Sequence, residues 1–413
     1  MFAQADRPCK QNKKSPTRRC GVLGFYQETP VMDFLDLDCP TKILFGANAF
    51  EQLGEAISNW GCRRAMIVSD PGIVALGYPE KARTLLKAQG MDSILYTGVH
   101  ENPSSDDVIH GVEAAKQWQP DLLIGLGGGS SMDCAKGMNF VYTNGGAIQD
   151  YWGIGKAEKP MLPMVAIPTT AGTGSETQSF ALISDAETHV KMACGDQKAT
   201  CRLAILDPVL TVTQPNRLTA LTGIDAIAHA VETMVTTKRN EKSLHFSQRA
   251  WQLLAKNFPL VLENPKDLEA RGGMQMGACL AGIAIENSML GATHALANPL
   301  TAHYGIVHGQ AIATMLPHVI RFNAKTMESD YALLAELAAE NSPIITEASS
   351  DQLATFISGL IQKAELVGDL RSQSVEQSLL PQLAEDANKQ WTKQFNPRTV
   401  ETEDLLSLYQ QAF

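Results

Sequence analysis

Short apolar runs alternate with amphipathic stretches over the first half of the chain. Residues 41–46, 64–70, 93–96, 121–126 and 165–168 are mostly apolar and end at a glycine, a proline or a polar turn. Runs of this length and character predict strands covered on both faces. Between them, 79–89 and 106–118 carry apolar residues at helical spacing. Phe50, Leu53 and Ile57 recur at the same spacing behind Asn48, which is expected to cap the helix they form. This alternation predicts a doubly wound, parallel α/β sheet. Further strands are expected over 180–184 and 190–192, joined by a turn at Asp185, Ala186 and Glu187, and over 203–208.

From about Pro215 the period changes. Apolar positions recur at helical spacing over 218–236, 243–257, 267–285, 331–340, 351–363 and 403–412, with few strand signals. The second half is therefore expected to be all helix. At 413 residues the chain is long for one ordinary core. The change of period sets the expected divide: an α/β domain over 31–213 and a helical domain over 214–413. Residues 1–30 are expected to be a disordered extension, because Arg7, Lys10, Lys13, Lys14, Arg18 and Arg19 face only Asp6 and Glu28, with no apolar core.

Two strand ends carry glycines and hydroxyls. The run 121–126 leads into Gly127, Gly128, Gly129, Ser130, Ser131 and Asp133, and then into a helix. Glycines there let backbone approach a pyrophosphate, and a helix N-terminus offers free N–H donors. The run 165–168 ends in Thr169, Thr170, Ala171, Gly172, Thr173, Gly174, Ser175 and Glu176, hydroxyls able to bond ribose or phosphate. Either loop alone fits a plain tight turn; the two together point to a dinucleotide. In the helical half, Asp225 and His229 are four residues apart and leave the same helix face. A carboxylate inside so apolar a helix needs a partner. His294 and His308 follow, separated by what reads as a loop of small residues. One carboxylate and three imidazoles from separated helices suit a divalent first-row metal such as Fe²⁺ or Zn²⁺.

Charge narrows the partners. The net charge of −10 leaves no basic surface for a nucleic-acid backbone or an acidic membrane leaflet. No apolar run reaches the length of a spanning helix. Cys9, Cys20, Cys39, Cys62, Cys134, Cys194, Cys201 and Cys279 form no Cys-x-x-Cys pair. They read as reduced thiols, and with no secretory hydrophobic region a cytoplasmic protein is expected.

Taken in order, these motifs resemble those of the iron-containing (group III) alcohol dehydrogenases over roughly residues 34–413. The matching residues are Pro40 to Gly46, the Gly127-Gly128-Gly129-Ser130 loop with Asp133, and the loop from Pro168 to Glu176. In the second half they are Gly223, Ile224, Asp225 and Ala226 with His229, then His294, His308 with Gly309, and Asn396-Pro397-Arg398. The resemblance implies an N-terminal dinucleotide-binding α/β domain, an all-helical C-terminal domain and an active site in the cleft between them. It implies Asp225, His229, His294 and His308 as ligands to Fe²⁺, with Zn²⁺ as the other choice. Gly128, Gly129 and Ser130 become pyrophosphate contacts in the loop that also holds Asp133, and Thr169, Thr170 and Thr173 further cofactor contacts. Lys191 matches a lysine that reaches the cofactor, and Asn102 a residue near the nicotinamide. Asp70 matches a position that discriminates cofactors: a carboxylate accepts from ribose hydroxyls and repels a 2′-phosphate, which favours NAD over NADP.

One position departs from the pattern. Many members carry a histidine four residues after the third metal ligand, facing the substrate; here it is Asn298, the candidate catalytic position. An amide does not titrate near neutral pH. His303 offers a substitute, although a structural role is the plainer reading of it. The implied activity is interconversion of a small alcohol and its aldehyde or ketone by a homo-oligomer, a dimer or larger. Phe180, Tyr151 and Trp152 are candidates for the substrate pocket. Three other readings stay open. A lyase related to dehydroquinate synthase or a glycerol-type polyol dehydrogenase would share fold, NAD and metal. A hydroxyacid–oxoacid transhydrogenase would show no net NADH production. A non-catalytic NAD- and metal-binding module is the reading that Asn298 hints at.

Overall fold

The computed structural model describes residues 34–339, 345 and 347–413. The expected extension over 1–30, with Cys9 and Cys20, lies outside the described residues. The strands are β1 (Phe34–Leu35), β2 (Lys42–Phe45), β3 (Arg64–Val68), β4 (Asp92–Tyr96), β5 (Leu122–Gly127), β6 (Gly153–Ile154), β7 (Met164–Pro168), β8 (Phe180–Ser184), β9 (Lys191–Gly195) and β10 (Leu203–Leu206). Among them run helices α1 (Leu53–Ile57), α2 (Pro71–Ala75), α3 (Tyr78–Ala88), α4 (Ser105–Trp118) and α5 (Gly129–Asn144).

The main sheet has the order β1-β2-β10-β7-β5-β3-β4, parallel except for the edge strand β1. Every residue of β5, β7 and β10 is buried, which is why these strands read as unbroken apolar runs. From β3 the chain steps outward to β4 and then returns to the other side of β3 as β5. The carboxyl ends of β3 and β5 therefore flank a topological switch point, where ligands of open α/β sheets bind.

One expectation in this half is corrected. Asn48 caps nothing: its backbone is left-handed at φ 63°, and its side chain makes no capping bond to the 3₁₀ turn Ala49–Gln52. Asp207, just past β10, does the capping. Its carboxylate accepts from Asn48 N at 3.0 Å and Phe50 N at 3.1 Å, because β10 lies beside β2. The expected strands at 180–184 and 190–192 stand apart from the main sheet. They form β8 and β9, antiparallel to each other, with β6 alongside β9 in a separate three-stranded sheet.

Past Leu206 the described residues hold no strand. The helices are α6 (Pro208–Thr211), α7 (Asn216–Val235), α8 (Glu241–Glu263), α9 (Leu268–Asn287), α10 (Ala292–Tyr304), α11 (His308–Ala339), α12 (Ser350–Lys363), α13 (Leu380–Asn388) and α14 (Thr402–Gln411). The expected loop between His294 and His308 is in fact α10, ended by Gly305 at φ 63°. The expected helix at 331–340 is the far part of α11, beyond a kink at Met327; Glu340 lies outside the described residues.

The loop after β7 docks on α9. Gln275 Nε2 donates to Pro168 O at 3.2 Å, Thr177 Oγ1 to Cys279 O at 3.2 Å, and Ser179 Oγ to Glu286 at 2.7 Å. Backbones nearly touch there: a Cβ on Gly282 would come within 2.4 Å of Gly174 O. None of the described helices is long and apolar enough to cross a membrane. The described cysteines Cys39, Cys62, Cys134, Cys194, Cys201 and Cys279 are free thiols.

Candidate active site

Asp225 and His229 lie one turn apart on α7, both buried. His294 sits in the first turn of α10 and His308 opens α11. These three helix segments bring one carboxylate oxygen against three imidazoles. Asp225 Oδ1 is 3.5 Å from His229 Nε2, 3.5 Å from His294 Nε2 and 3.6 Å from His308 Nε2. Donors each about 2.1 Å from a shared tetrahedral ion are separated by about 3.4 Å. Ligand atoms of Asp225, His229 and His294 all lie within 4.8 Å of one another, and His308 closes the group from the cleft side.

The donor set fits a cation. Asp225 Oδ1 and His294 Nε2 are buried without a hydrogen-bond partner among the described residues, a costly state for polar atoms that a metal would relieve. Burial alone would raise the Asp225 carboxyl; the imidazoles of His229, His294 and His308 instead hold it well below the usual carboxylate range. Desolvation holds His229 and His308 below the ordinary imidazole value, favouring the neutral form that ligates. His294 is the exception. Burial would lower it, but the carboxylates of Glu232 and Asp225 together raise it to about 9.

Glu232 was not among the residues expected from sequence. It is buried, and its Oε2 lies 2.5 Å from His294 Nδ1 while Oε1 accepts from Thr293 N at 2.7 Å. The signal was present: Asp225, His229 and Glu232 stand at i, i+4 and i+7 on one face of α7.

The dinucleotide candidates gather at the switch point. Asp70 follows β3 and caps α2, with Oδ1 accepting from Ile73 N at 3.0 Å. Its Oδ2 accepts from Ser131 Oγ at 3.4 Å, so it lies beside the glycine loop after β5. Gly128 and Gly129 begin α5 with no side-chain cap, and the side chains of Thr170 and Thr173 face them. Thr169 N donates to Gly127 O at 2.9 Å, joining the two loops. Asn102 N donates to Ser130 Oγ at 3.3 Å, and Asn102 Oδ1 accepts from Lys191 Nζ at 3.4 Å. Asp133 is buried and accepts from Ser175 Oγ at 2.6 Å. Its carboxylate is engaged with the second loop, which supports that loop from beneath.

Lys191, Asn102, Asn298 and His308 open on a cleft of about 1220 Å³, whose aromatic wall includes Phe180 and Trp391. Those two rings stack with centroids 6.1 Å apart. Trp152 also lines the cleft, as expected, but Tyr151 does not: it is buried, and its hydroxyl donates to Gly145 O at 2.7 Å. Trp391 was not expected, because nothing near it in sequence marks it.

The iron-containing alcohol dehydrogenase family model matches residues 40–208, and the model for the C-terminal part of the Fe-containing alcohol dehydrogenases matches 219–413. The NAD-dependent methanol dehydrogenase of Bacillus methanolicus is 33% identical over 374 residues, 90% of this chain and 98% of that protein. The chain belongs to the iron-containing alcohol dehydrogenase family. The protein is thus an oxidoreductase acting on alcohols. The 1,3-propanediol dehydrogenase of Klebsiella pneumoniae is also 33% identical, over 377 residues, 91% of this chain and 97% of that protein. The solved structure of an alcohol dehydrogenase from Oenococcus oeni superposes with a TM-score of 0.86 at 29% identity, over 93% of this chain and 100% of that one.

In this alcohol dehydrogenase, Asn298 stands one turn after His294 and lines the cleft, but its Nδ2 is donated to Gln390 Oε1 at 2.9 Å. His303 also borders the cleft; its Nε2 pairs with Asp386 Oδ2 at 2.9 Å, a structural contact at the cleft edge.

Proposed function

We propose that this chain is a metal-dependent, NAD(H)-linked dehydrogenase interconverting a small alcohol and its aldehyde or ketone. Residues 31–213 act as the cofactor domain and 214–413 as the metal-binding domain. The observation that carries this reading is the single oxygen, Asp225 Oδ1, set 3.5–3.6 Å from three imidazole nitrogens at the end of the cleft. Asp225, His229, His294 and His308 would hold the ion. Fe²⁺ suits four protein ligands plus a substrate better than tetrahedral Zn²⁺ does. When bound, the ion supplies Lewis acidity to a substrate oxygen, and the nicotinamide supplies or takes up hydride.

The chain's own groups do the rest. The glycine loop and the start of α5 receive the pyrophosphate, with Thr169, Thr170 and Thr173 alongside. Asp70 accepts from the ribose hydroxyls and repels a 2′-phosphate. Lys191 and Asn102, bonded to each other, border the reacting end of the cofactor. Phe180 and Trp391 form an apolar wall for the substrate's carbon chain. Asn298 and Gln390 present an amide pair that orients a hydroxyl or a water without taking its proton. Anaerobic removal of metal, reloading with Fe²⁺ or Zn²⁺, and NADH absorbance with NAD⁺ and short alcohols, diols and hydroxyacids test the reading. Metal-dependent NADH formation is expected. NADH formation that survives complete metal removal refutes it. Turnover of hydroxyacid with oxoacid without net NADH favours the transhydrogenase instead.

A further inference from the structure

Helix α10 carries His294 in its first turn, yet it begins at Gly291 with no side-chain cap of its own. Two residues from elsewhere supply what is missing. Asn396 Oδ1 accepts from Ala292 N at 3.3 Å, Glu232 Oε1 accepts from Thr293 N at 2.7 Å, and Glu232 Oε2 meets His294 Nδ1 at 2.5 Å. Consecutive groups at the start of α10 are thus gripped by α7 on one side and by the turn after the Trp391–Phe395 3₁₀ segment on the other. Gly291 leaves room for this: a Cβ there would lie 3.1 Å from Asn396 Oδ1 and 3.2 Å from Glu232 Oε1.

Asn396 is itself held in place. It exchanges two hydrogen bonds with Asn323 of α11, Nδ2 to Oδ1 at 2.8 Å and the reverse at 3.0 Å, and donates to Arg398 O at 2.7 Å. All three side chains, Glu232, Asn323 and Asn396, are buried. Phe395 O accepts from Thr237 N at 2.8 Å, which fastens the same turn to the end of α7. The turn therefore bridges the three helices that carry the metal-ligand candidates. The Asn396-Pro397-Arg398 motif lies far from them in sequence.

We infer that Asn396 and Glu232 are positioning residues that cap α10 jointly and aim His294 at the metal. This rests on the metal reading proposed above. Carboxylates bonded to the second nitrogen of a ligating histidine fix its tautomer and orientation, and their loss lowers metal affinity by about 10- to 100-fold. A cap that fixes the backbone beneath the same histidine acts on the same orientation.

The test uses the full chain, stripped of metal and titrated with Fe²⁺ anaerobically against a chromogenic chelator, with thermal unfolding of the metal-free forms measured alongside. Asn396→Ala should weaken Fe²⁺ binding by about 10-fold. Arg398→Ala is the structural control. It removes the bond from Arg398 Nη1 to Phe322 O at 3.0 Å at the same turn, with no bond to α10, and should leave Fe²⁺ affinity unchanged. Glu232→Ala should weaken binding by up to about 100-fold, and Glu232→Gln, which can still accept from Thr293 N, by less. In His294→Ala protein, adding Asn396→Ala should cost no further affinity. Wild-type affinity in Asn396→Ala, an equal loss in Arg398→Ala, or a further loss on the His294→Ala background overturns the inference. Should Asn396→Ala not fold, equal affinities of wild type, Glu232→Gln and Glu232→Ala overturn it instead. Failure of the wild type to bind Fe²⁺ would refute the metal reading itself.

Discussion

Glu176 closes the second hydroxyl loop, is 3% exposed, and is raised by desolvation to about 7, with Lys136 opposing. An unfolded glutamate titrates near 4.5. The folded state therefore binds more protons than the unfolded state between about pH 4.5 and about 7, so stability falls as pH rises through that window. A carboxyl displaced from 4.5 to about 7 corresponds to about 3 kcal/mol, fully expressed above about pH 7. Glu176→Gln removes the titration while keeping the shape. Urea unfolding of both proteins in the presence of a metal chelator, across about pH 5 to about pH 8, reads the effect. Relative to wild type, the Gln variant should gain stability with rising pH, up to about 3 kcal/mol. The comparison is of slopes, so any fixed cost of placing an amide there cancels. A difference between the two proteins that stays flat across the range refutes the assignment of a desolvated carboxyl at this position.

Three further outcomes test the join between the halves and the cofactor end. Gly282→Ala puts a Cβ 2.4 Å from Gly174 O and 2.5 Å from Thr177 Oγ1, and should destabilise by about 1–3 kcal/mol in urea unfolding. Gly174→Ala should cost about 1 kcal/mol more, because its φ of 64° adds left-handed strain to the same contact. Asp70→Asn keeps the acceptor for Ile73 N but removes the charge; selectivity for NAD⁺ over NADP⁺, measured as the ratio of dissociation constants, should fall by about 10-fold.

Much of the fold was legible because its strands are buried on both faces. Unbroken apolar runs such as 122–126 and 165–168 suit a sheet covered on both faces, and each run ended where the loop chemistry began. The candidate site was legible where its spacing is local, as with Asp225 and His229 on one face of α7. What escaped has physical causes. The segment from Ala292 to Tyr304 reads as a loop because Asn298, Pro299 and small residues dilute its helical period, although Pro299 only removes one donor from an otherwise packed helix. Strands β8 and β9 were legible as strands but not as a separate sheet, because strand periodicity carries no information about the partner. Trp391 reaches the cleft only through tertiary packing against Phe180.

The failures at helix starts share one cause. Asn48 has the residue type of a cap and does not cap, while Gly291 has no capping side chain and its helix is capped all the same. In both cases the acceptor comes from a distant segment: Asp207 for the turn after Asn48, Asn396 and Glu232 for α10. A local rule assumes that the donor groups at a helix start are satisfied within a few residues. A buried helix start needs only that some acceptor reach them. When that acceptor belongs to another element, the bond fixes the relative position of two parts of the chain as well as the helix end. Asp207 ties β10 to the turn after β2 in this way. Asn396 and Glu232 tie α10 to the helices bearing the other ligand candidates. A ligand set drawn from three separate helix segments needs such ties, since no single segment holds its members in register.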